Sequence, residues 1–337
     1  MKQKKMKLSQ WIVFPIAAIA AVVPLFISNT YIINLLVLTT IYCVLASAWN
    51  FISGFAGQFG FSGVFFALGA YVTAGMFDTL KISPWIGMFI AAVVVSVVAL
   101  GMGYLTFSLR KTYFTLATLA LLNILQLIFV QNKVILGIDF KGTAGLRLPW
   151  IGGLVNMQFM SNRGYYYIAL AILIITLIIT NILVRSKMGF YFKAINTNPM
   201  AASSLGVNVM KYKQFAQIMT AFIMGLIGGV YVMYISSIEP ISMFSYEIVF
   251  NIMLMALVGG RATVYGPTIG AIILMPLYAL LRLWFSSTLP GLPTAIFGLI
   301  LLLVTQFMPE GLVPFVQEKL HLRKQRLASQ AETAQAK

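Results

Sequence analysis

The sequence predicts an all-α, polytopic integral membrane protein with about ten transmembrane helices, some of them broken. Of its 337 residues, 60% are hydrophobic and only 9% are charged, whereas a soluble domain usually contains about 25% charged residues. The apolar residues also form runs of about 20, the length of helix that crosses about 30 Å of hydrocarbon. No polar stretch between these runs is long enough to form a self-supporting soluble domain.

The candidate spans are apolar runs that end at charged residues or at glycine and proline breaks. In chain order they cover residues 11–28, 31–53, 60–77, 85–108, 113–132, 165–184, 214–236, 247–260, 264–285 and 292–308. The first run follows the segment MKQKKMKLSQ, which looks like the start of a signal peptide. Because this run leads directly into a second span instead of a soluble domain, we interpret it as a retained first helix.

The basic residues predict the orientation of the bundle. With ten crossings both termini lie on one side of the membrane, and 17 of the 23 lysines and arginines fall on that side. Because cytoplasmic loops carry the excess of lysine and arginine, we expect both termini in the cytoplasm. The net charge of +16 is then explained by topology and by anionic lipid, and no nucleic-acid partner is expected. Residues 1–315 form one transmembrane domain, and residues 316–337 form a basic cytoplasmic tail.

The inner loop, residues 185–213, contains the signals of a short helix. Asn198 can cap a helix, Pro199 suits its first position, and Gly206 suits the left-handed residue after its end. These signals predict a helix of two turns over residues 199–205, which is too short to cross the membrane. Two interpretations remain: a surface helix at the membrane interface, or a docking element for a cytoplasmic partner.

Two glycine-rich stretches interrupt the spans. The first is GFAGQFGFSG, residues 54–63, and the second lies between the eighth and ninth spans and contains Gly259, Gly260, Gly266, Pro267 and Gly270. Glycine permits close helix contact, and it also permits irregular backbone where the chain lines a cavity. Both interpretations stay open. If a pathway passes here, the candidate lining residues are Asn50, Gly57, Gln58, Ser62, Thr115 and Thr118.

The positions of the ionisable residues exclude several classes of function. All seven carboxylates fall at or beyond span ends, so no titratable acid is expected at mid-membrane to carry the proton of a proton-driven carrier. The motif G-x-x-x-x-G-K-[ST] is absent, so the chain has no P-loop of its own. A single cysteine, Cys43, and a single histidine, His321, leave no set of residues for a metal site or a catalytic triad. We therefore expect no enzyme activity, no catalytic residues, no bound metal and no cofactor.

Four stretches carry a resemblance to a known family. They are SAWNFISGFAGQFGFSGVFFALGAYVTAG (47–75), KTYFTLATLALLNI (111–124), VGGRATVYGPTIGA (258–271) and FMPEGL (307–312). In this order they resemble the LivM-type permeases of branched-chain amino acid ABC transporters, and the likeness runs from about residue 31 to residue 315. The resemblance implies the membrane-spanning permease subunit of an ABC importer, which translocates leucine, isoleucine and valine across the bacterial cytoplasmic membrane.

The resemblance also implies partners. Such a permease lies in membrane lipid and pairs with a second, homologous permease of the LivH type, two cytoplasmic ATP-binding subunits and an extracytoplasmic substrate-binding protein. ATP is bound by the partner subunits, so no cofactor is expected on this chain. The segment GFYFKAINTNPMAASSLGVNVMKYK (189–213) is similar to the loop that engages the ATPases. The residues it implies for this coupling are Asn198, Pro199, Ala201, Ala202, Ser203, Leu205 and Gly206.

Departures from the family pattern leave the substrate open. Ser203 stands where the family has a glutamate, and Ala144 of the outer loop 133–163 stands where an asparagine is common. The segment NTNP, residues 196–199, is closer to the sugar- and nucleoside-type relatives. The alternatives are therefore a permease for urea, another amino acid or nucleosides. A stand-alone secondary carrier is a further alternative, because sodium coupling can use the backbone carbonyls of broken helices, but the two halves of the chain show no clear repeat.

Overall fold

The computed structural model describes residues 20–107, 111–135, 137–285, 291–307 and 311–315. Its helices are α1 (Thr30–Asn50), α2 (Gly63–Leu80), α3 (Pro84–Thr106), α4 (Lys111–Gln131), α5 (Arg163–Arg185), α6 (Lys187–Thr197), α7 (Pro199–Ser204), α8 (Val209–Ile235), α9 (Pro240–Met243), α10 (Tyr246–Gly259), α11 (Gly266–Phe285) and α12 (Leu292–Phe307). Its short strands are β1 (Val134–Ile135), β2 (Ile138–Asp139), β3 (Leu146–Arg147) and β4 (Ser237–Ile238). Residues 20–26 and 312–315 are also helical.

Eight helical segments of the described residues are long and apolar enough to cross a membrane. They cover Thr30–Phe55, Gly63–Leu80, Pro84–Thr106, Thr112–Gln131, Arg163–Arg185, Val209–Ile235, Pro240–Gly259 and Gly266–Phe285. These segments match the second to ninth predicted spans and confirm an all-α polytopic membrane protein. Half of the first predicted span, 11–28, lies outside the described residues, and so does the whole of the predicted tail, 316–337. The tenth predicted span, 292–308, corresponds to α12, which has 16 residues.

Several of these segments are broken, as the sequence predicts. Helix α1 continues into a π-helical turn at Phe51–Phe55, whereas α11 remains one continuous helix although Pro276 lies inside it. Residues 244–245 separate α9 from α10. The third span begins at Gly63 instead of the predicted residue 60, because residues 57–61 form an irregular loop that leads into α2.

Small residues allow α8 to pack closely against α2. A Cβ atom on Gly69 would lie only 2.5 Å from the Cα atom of Gly225, and one on Gly228 would lie 2.4 Å from the carbonyl oxygen of Phe66. Helices in a membrane associate through van der Waals contact, which such small residues make possible. This contact places α8 in the middle of the bundle, where it also packs against α3 and α1.

The second glycine-rich stretch joins α10 to α11. A Cβ atom on Gly270 would lie 2.0 Å from the carbonyl oxygen of Met255, and one on Gly259 would lie 1.9 Å from the carbonyl oxygen of Gly266. No side chain fits between backbones at these distances. Of the two interpretations left open for this stretch, the structure therefore supports close helix packing.

The outward faces of the bundle are apolar. Val97 on α3, Leu116 on α4 and Ile182 on α5 are all exposed. An apolar surface of this extent is unfavourable in water, whereas lipid tails or the helices of another membrane subunit can cover it at no such cost. The outward faces thus fit the membrane fold.

The bundle has two polar ends. One, called here the basic end, consists of α6, α7 and the connections 56–62 and 260–265. The other, called the opposite end, consists of residues 132–162 together with β4 and α9. At the opposite end β3 pairs antiparallel with β4, with Leu146 facing Ile238, and β1 pairs with β2.

Candidate functional site

The short helix of the inner loop is present at the basic end as α7, Pro199–Ser204. The side chain of Asn198 caps it, because its Oδ1 atom accepts hydrogen bonds from the backbone N–H groups of Met200 at 3.0 Å and Ala201 at 3.1 Å. Gly206 follows in the left-handed region with φ +83°. The caps that the sequence contains therefore form, and α7 ends one residue before the predicted boundary.

Helix α7 presents apolar side chains away from the bundle. Met200 and Leu205 are 82% and 84% exposed, whereas Ala202 is only 2% exposed and packs inward. A shallow groove of about 370 Å³ lies beside the helix and is lined by Phe190, Lys193, Ala194, Thr197, Asn198, Ala201, Ala202 and Leu205. Exposed apolar side chains beside a groove are typical of a surface that contacts another protein. Ser203, where the family has a glutamate, is also exposed.

Helix α6 contacts the broken part of α1. The side-chain amide of Asn196 donates a hydrogen bond of 2.7 Å to the carbonyl oxygen of Gly54, which lies in the π-helical turn. Gly57 has φ +68°, and a Cβ atom there would lie 2.5 Å from Oδ1 of Asn196. Only glycine satisfies both the backbone conformation and the space at this position. The inner loop is therefore joined directly to the first glycine-rich stretch.

Asn50 joins the same break to the connection between α10 and α11. Its Nδ2 atom donates to the carbonyl oxygen of Thr263 at 2.8 Å, and its Oδ1 atom accepts from the N–H group of Ala262 at 2.8 Å. The Oγ1 atom of Thr263 in turn accepts a hydrogen bond of 3.0 Å from the N–H group of Gly266 at the start of α11. Asn50 thus links three helices at the basic end.

The threonines of α4 fix the irregular loop before α2. The hydroxyl of Thr115 donates to the carbonyl oxygen of Phe59 at 2.7 Å, and the Oγ1 atom of Thr118 accepts from the N–H group of Phe61 at 2.9 Å. Gln58 and Ser62 are both buried. The six pathway candidates therefore come together at the basic end. Asn50, Thr115 and Thr118 bond to backbone groups of neighbouring segments, which is a positioning role for these three side chains.

A cavity of about 920 Å³ lies at the opposite end, and none of the six pathway candidates lines it. Its walls come from α1, the residue before α5, the end of α8, β4, α9, α10 and α11. The lining residues are Asn34, Leu38, Tyr42, Asn162, Tyr231, Tyr234, Ile235, Ser237, Ile238, Glu239, Ile241, Ser242, Met243, Ser245, Glu247, Ile248, Asn251, Met275, Tyr278 and Arg282. The cavity is therefore lined by tyrosines, asparagines and charged groups as well as by apolar side chains.

Glu247 and Arg282 are the charged residues that face this cavity from α10 and α11. The hydroxyl of Tyr278 donates a hydrogen bond to Oε1 of Glu247, and Arg282 follows Tyr278 by one helical turn. Within the described part of the chain no direct ion pair joins Glu247 to Arg282. A salt bridge of 3.1 Å joins Lys141 to Asp78 elsewhere at the same end. The sequence analysis counted Arg282 toward the topology and Glu247 among the carboxylates at span ends, and it connected neither residue with a binding site. Their opposite signs at the same end of two consecutive helices are the sequence signal that could have indicated a site here.

The described residues contain no group of three or more His, Cys, Asp or Glu side chains that could hold a metal ion. His321 and the acids of the tail lie outside this part of the chain.

Comparison with known proteins gives one family. A sequence model described as branched-chain amino acid transport system, permease component, matches residues 31–305. The high-affinity branched-chain amino acid transport system permease protein LivM of Escherichia coli (strain K12) is 23% identical over 313 residues, which cover 86% of this chain and 72% of the relative. A probable branched-chain amino acid transport permease protein LivM of Methanocaldococcus jannaschii is 23% identical, with 76% of this chain and 77% of the relative covered.

A further relative has a different substrate in its name. The nucleoside ABC transporter permease protein NupC of Lactococcus lactis subsp. cremoris is 26% identical over 186 residues, which cover 52% of this chain and 55% of the relative. No solved structure matches the chain. The family match spans both the basic end and the residues that line the cavity.

Proposed function

The chain belongs to the family of permease components of branched-chain amino acid transport systems, and on this premise we propose that it carries leucine, isoleucine and valine through the membrane as part of an ABC importer. The observation that carries the proposal is the family match over residues 31–305. This range includes α7 and all the membrane-length helices, apart from the first residue of α1. The alternative of a stand-alone secondary carrier loses support, because the family is described as the permease component of a transport system.

We propose that energy enters at the basic end through α7. Its exposed Met200 and Leu205 would contact one of two ATP-binding subunits, and closure of those subunits on ATP would displace the helix. The displacement would reach α1 through the bond of Asn196 to Gly54, and it would reach α10 and α11 through Asn50. Rigid-body movement of packed helices is an established way to alternate access across a bundle.

The remaining partners follow from the same proposal. A second permease of the LivH type would cover part of the apolar outward face, and an extracytoplasmic binding protein would deliver substrate to the opposite end. Both termini and the basic end would face the cytoplasm, as the distribution of lysine and arginine predicts. ATP would be bound by the partner subunits, and this chain would hold no cofactor, no metal and no nucleic acid.

The proposal is tested by isolating the complex and then measuring transport. A tagged chain is purified from native membranes in mild detergent, and the copurifying chains are identified by mass. We expect a homologous permease and two ATP-binding subunits. Isolation of the chain alone, under conditions that preserve a known ABC importer processed in parallel, would contradict the proposal.

Uptake then tests the substrate. The purified complex is reconstituted in vesicles with its binding protein, and the entry of radiolabelled leucine is measured with ATP and with a non-hydrolysable analogue. We expect leucine to enter only with ATP.

Nucleosides are the second candidate substrate, because the nucleoside permease relative matches half of this chain. The same vesicles are therefore given radiolabelled uridine and adenosine. ATP-dependent entry of a nucleoside without entry of leucine would favour this second candidate.

A further inference from the structure

The cavity at the opposite end is lined by two charges of opposite sign on neighbouring helices, and a third charged residue, Glu239, lines it from the connection between β4 and α9. Glu247 lies in the first turn of α10 and Arg282 in the last turn of α11. Both side chains are exposed in the single chain, and both line the cavity of about 920 Å³. Ionisable residues near a membrane rarely face lipid and usually face a polar cavity or a bundle interior. Their position therefore calls for a polar occupant.

The ends of the helices give part of the reason for these two charges. A carboxylate is favoured at the positive N-terminus of a helix and a guanidinium at the negative C-terminus. This effect favours an acidic residue at the first of these helix ends and a basic residue at the second. It does not explain why both line the same cavity, or why Tyr278 holds the carboxylate in place.

Tyr278 bonds to one of the two charges and lies on the same helix face as the other. Its hydroxyl donates to Oε1 of Glu247, and it precedes Arg282 by four residues, which places both on one face of α11 with Cβ atoms about 5–6 Å apart. Both charges therefore line one cavity on either side of Tyr278 in the contact network, and no direct ion pair joins them in the described residues. A small molecule with one positive and one negative group would therefore find an oppositely charged partner for each group within the cavity.

We infer that Glu247 and Arg282 form a binding site for the zwitterion of an α-amino acid. This inference rests on the proposed function, and it names the part of the substrate that the site recognises. Glu247 accepts hydrogen bonds from the ammonium group. Arg282 donates to the carboxylate, for which the planar guanidinium offers two parallel N–H groups. The apolar side chain of the substrate then lies against Leu38, Ile248 and Met275, which line the same cavity.

The size and chemistry of the cavity agree with this assignment. Sites for small molecules usually have volumes of about 300–1,000 Å³ and combine apolar walls with a few convergent polar groups. The cavity has that volume and those walls. A nucleoside has no pair of opposite charges, so it would leave Glu247 and Arg282 unmatched. The same site therefore distinguishes the two candidate substrates of this chain.

The test uses the reconstituted complex with its binding protein and measures the leucine that enters per ATP hydrolysed. The variants are Glu247→Gln and Arg282→Gln, which remove one charge each. Matched controls at the same end of the bundle, but outside the cavity, are Asp139→Asn and Lys133→Gln. Conservative variants, Glu247→Asp and Arg282→Lys, keep the charge at each site.

We expect each neutral variant to lower the leucine delivered per ATP by about tenfold, since a lost hydrogen bond to a charged group costs about that factor in rate. Glu247→Asp should recover much of the loss, Arg282→Lys should recover part of it because lysine keeps the charge but lacks the two parallel N–H groups, and the controls should match the wild type. Stimulation of ATP hydrolysis by the leucine-loaded binding protein should persist, because α7 and the basic end are unchanged. This persistence separates a defect in substrate binding from a failure to fold or assemble.

Leucine delivery that is equal in the wild type and in both neutral variants would overturn the inference while leaving the proposed function in place. Loss of delivery in the conservative variants as severe as in the neutral ones would also overturn it, because a structural role would then explain the loss. If the wild-type complex moves nucleosides and no amino acid, the proposed substrate fails, and the zwitterion site fails with it.

Discussion

The two ends of the bundle use their polar side chains in opposite ways. At the basic end Asn50, Thr118 and Asn196 bond to backbone groups of neighbouring segments at 2.7–2.9 Å. At the opposite end Glu247 and Arg282 are among the residues that line a cavity of about 920 Å³. Polar groups that satisfy buried backbone atoms fix the position of the chain, whereas polar groups around a cavity remain available to a ligand.

The same two helices connect these ends. Helix α10 begins with Glu247 in its first turn at the cavity and ends at Gly259, and α11 begins at Gly266 and carries Arg282 in its last turn. The connection between them is held by Asn50. A displacement at the basic end would therefore move both charges of the cavity. On our proposals, the basic end transmits movement and the opposite end recognises the substrate.

The largest expected effect is an all-or-none difference in labelling, which tests whether the two ends lie on opposite sides of the membrane. Positions 144 and 200 are both exposed, and the native Cys43 is buried. In intact cells we expect a membrane-impermeant maleimide to label Ala144→Cys but not Met200→Cys. Met200→Cys should react only after permeabilisation. The wild type serves as the unlabelled control, and the reversed pattern would overturn the predicted orientation.

The next effect concerns α7. Ala202 is buried against the bundle, and Gly206 has φ +83°, which proline cannot adopt because its ring holds φ near −65°. We expect Ala202→Asp and Gly206→Pro to reach the membrane in normal amounts and yet to lower ATP-dependent uptake by about tenfold or more, a barrier change of roughly 1.4 kcal/mol.

The control for these variants is Ser203→Ala, which changes an exposed position of the same helix. It should transport as the wild type does. Normal uptake by either Ala202→Asp or Gly206→Pro would remove the coupling role of α7 and would leave the basic end as a purely structural region.

More of the basic end than of the opposite end could be predicted from the sequence. The caps of α7 are local signals, since Asn198, Pro199 and Gly206 lie within nine residues, and the helix they predict is present. The membrane-length helices follow from apolar run lengths and also agree with the structure. In both cases the determining residues are neighbours in the chain.

The cavity could not be predicted in this way. Its walls combine residues such as Asn34, Asn162, Glu247 and Arg282, which lie far apart in the sequence and follow no shared spacing. The pathway candidates illustrate the same limit. Asn50 and Thr118 were predicted as candidates to line a pathway, whereas the backbone atoms that they bond to are fixed only by the packing of other helices.

A moderate effect is expected when Asn50 is replaced by leucine. The substitution removes both hydrogen bonds to the connection 260–265 and leaves partly buried backbone groups unpaired, at a cost of about 1–3 kcal/mol. We expect the apparent Tm of the purified complex to fall by about 2–5 °C.

Asn132→Ala is the matched control for Asn50→Leu. Asn132 is exposed, and its side chain bonds only to the carbonyl oxygen of Ile128 one turn earlier. An unchanged Tm in Asn50→Leu would show that the basic end is less tightly held than its hydrogen bonds indicate, and it would weaken the contrast between the two ends.

The smallest effect should come from Asn196→Ala, which removes the bond from α6 to the π-helical turn of α1. One neutral hydrogen bond contributes about 0.5–1.5 kcal/mol, so assembly should be normal and the leucine delivered per ATP should fall by about two- to tenfold. Thr197→Val is the neighbouring control, because the Thr197 hydroxyl bonds to Lys193 within α6 itself. If both variants deliver leucine equally, transmission does not pass through Asn196, and α7 must act on α10 and α11 by another contact.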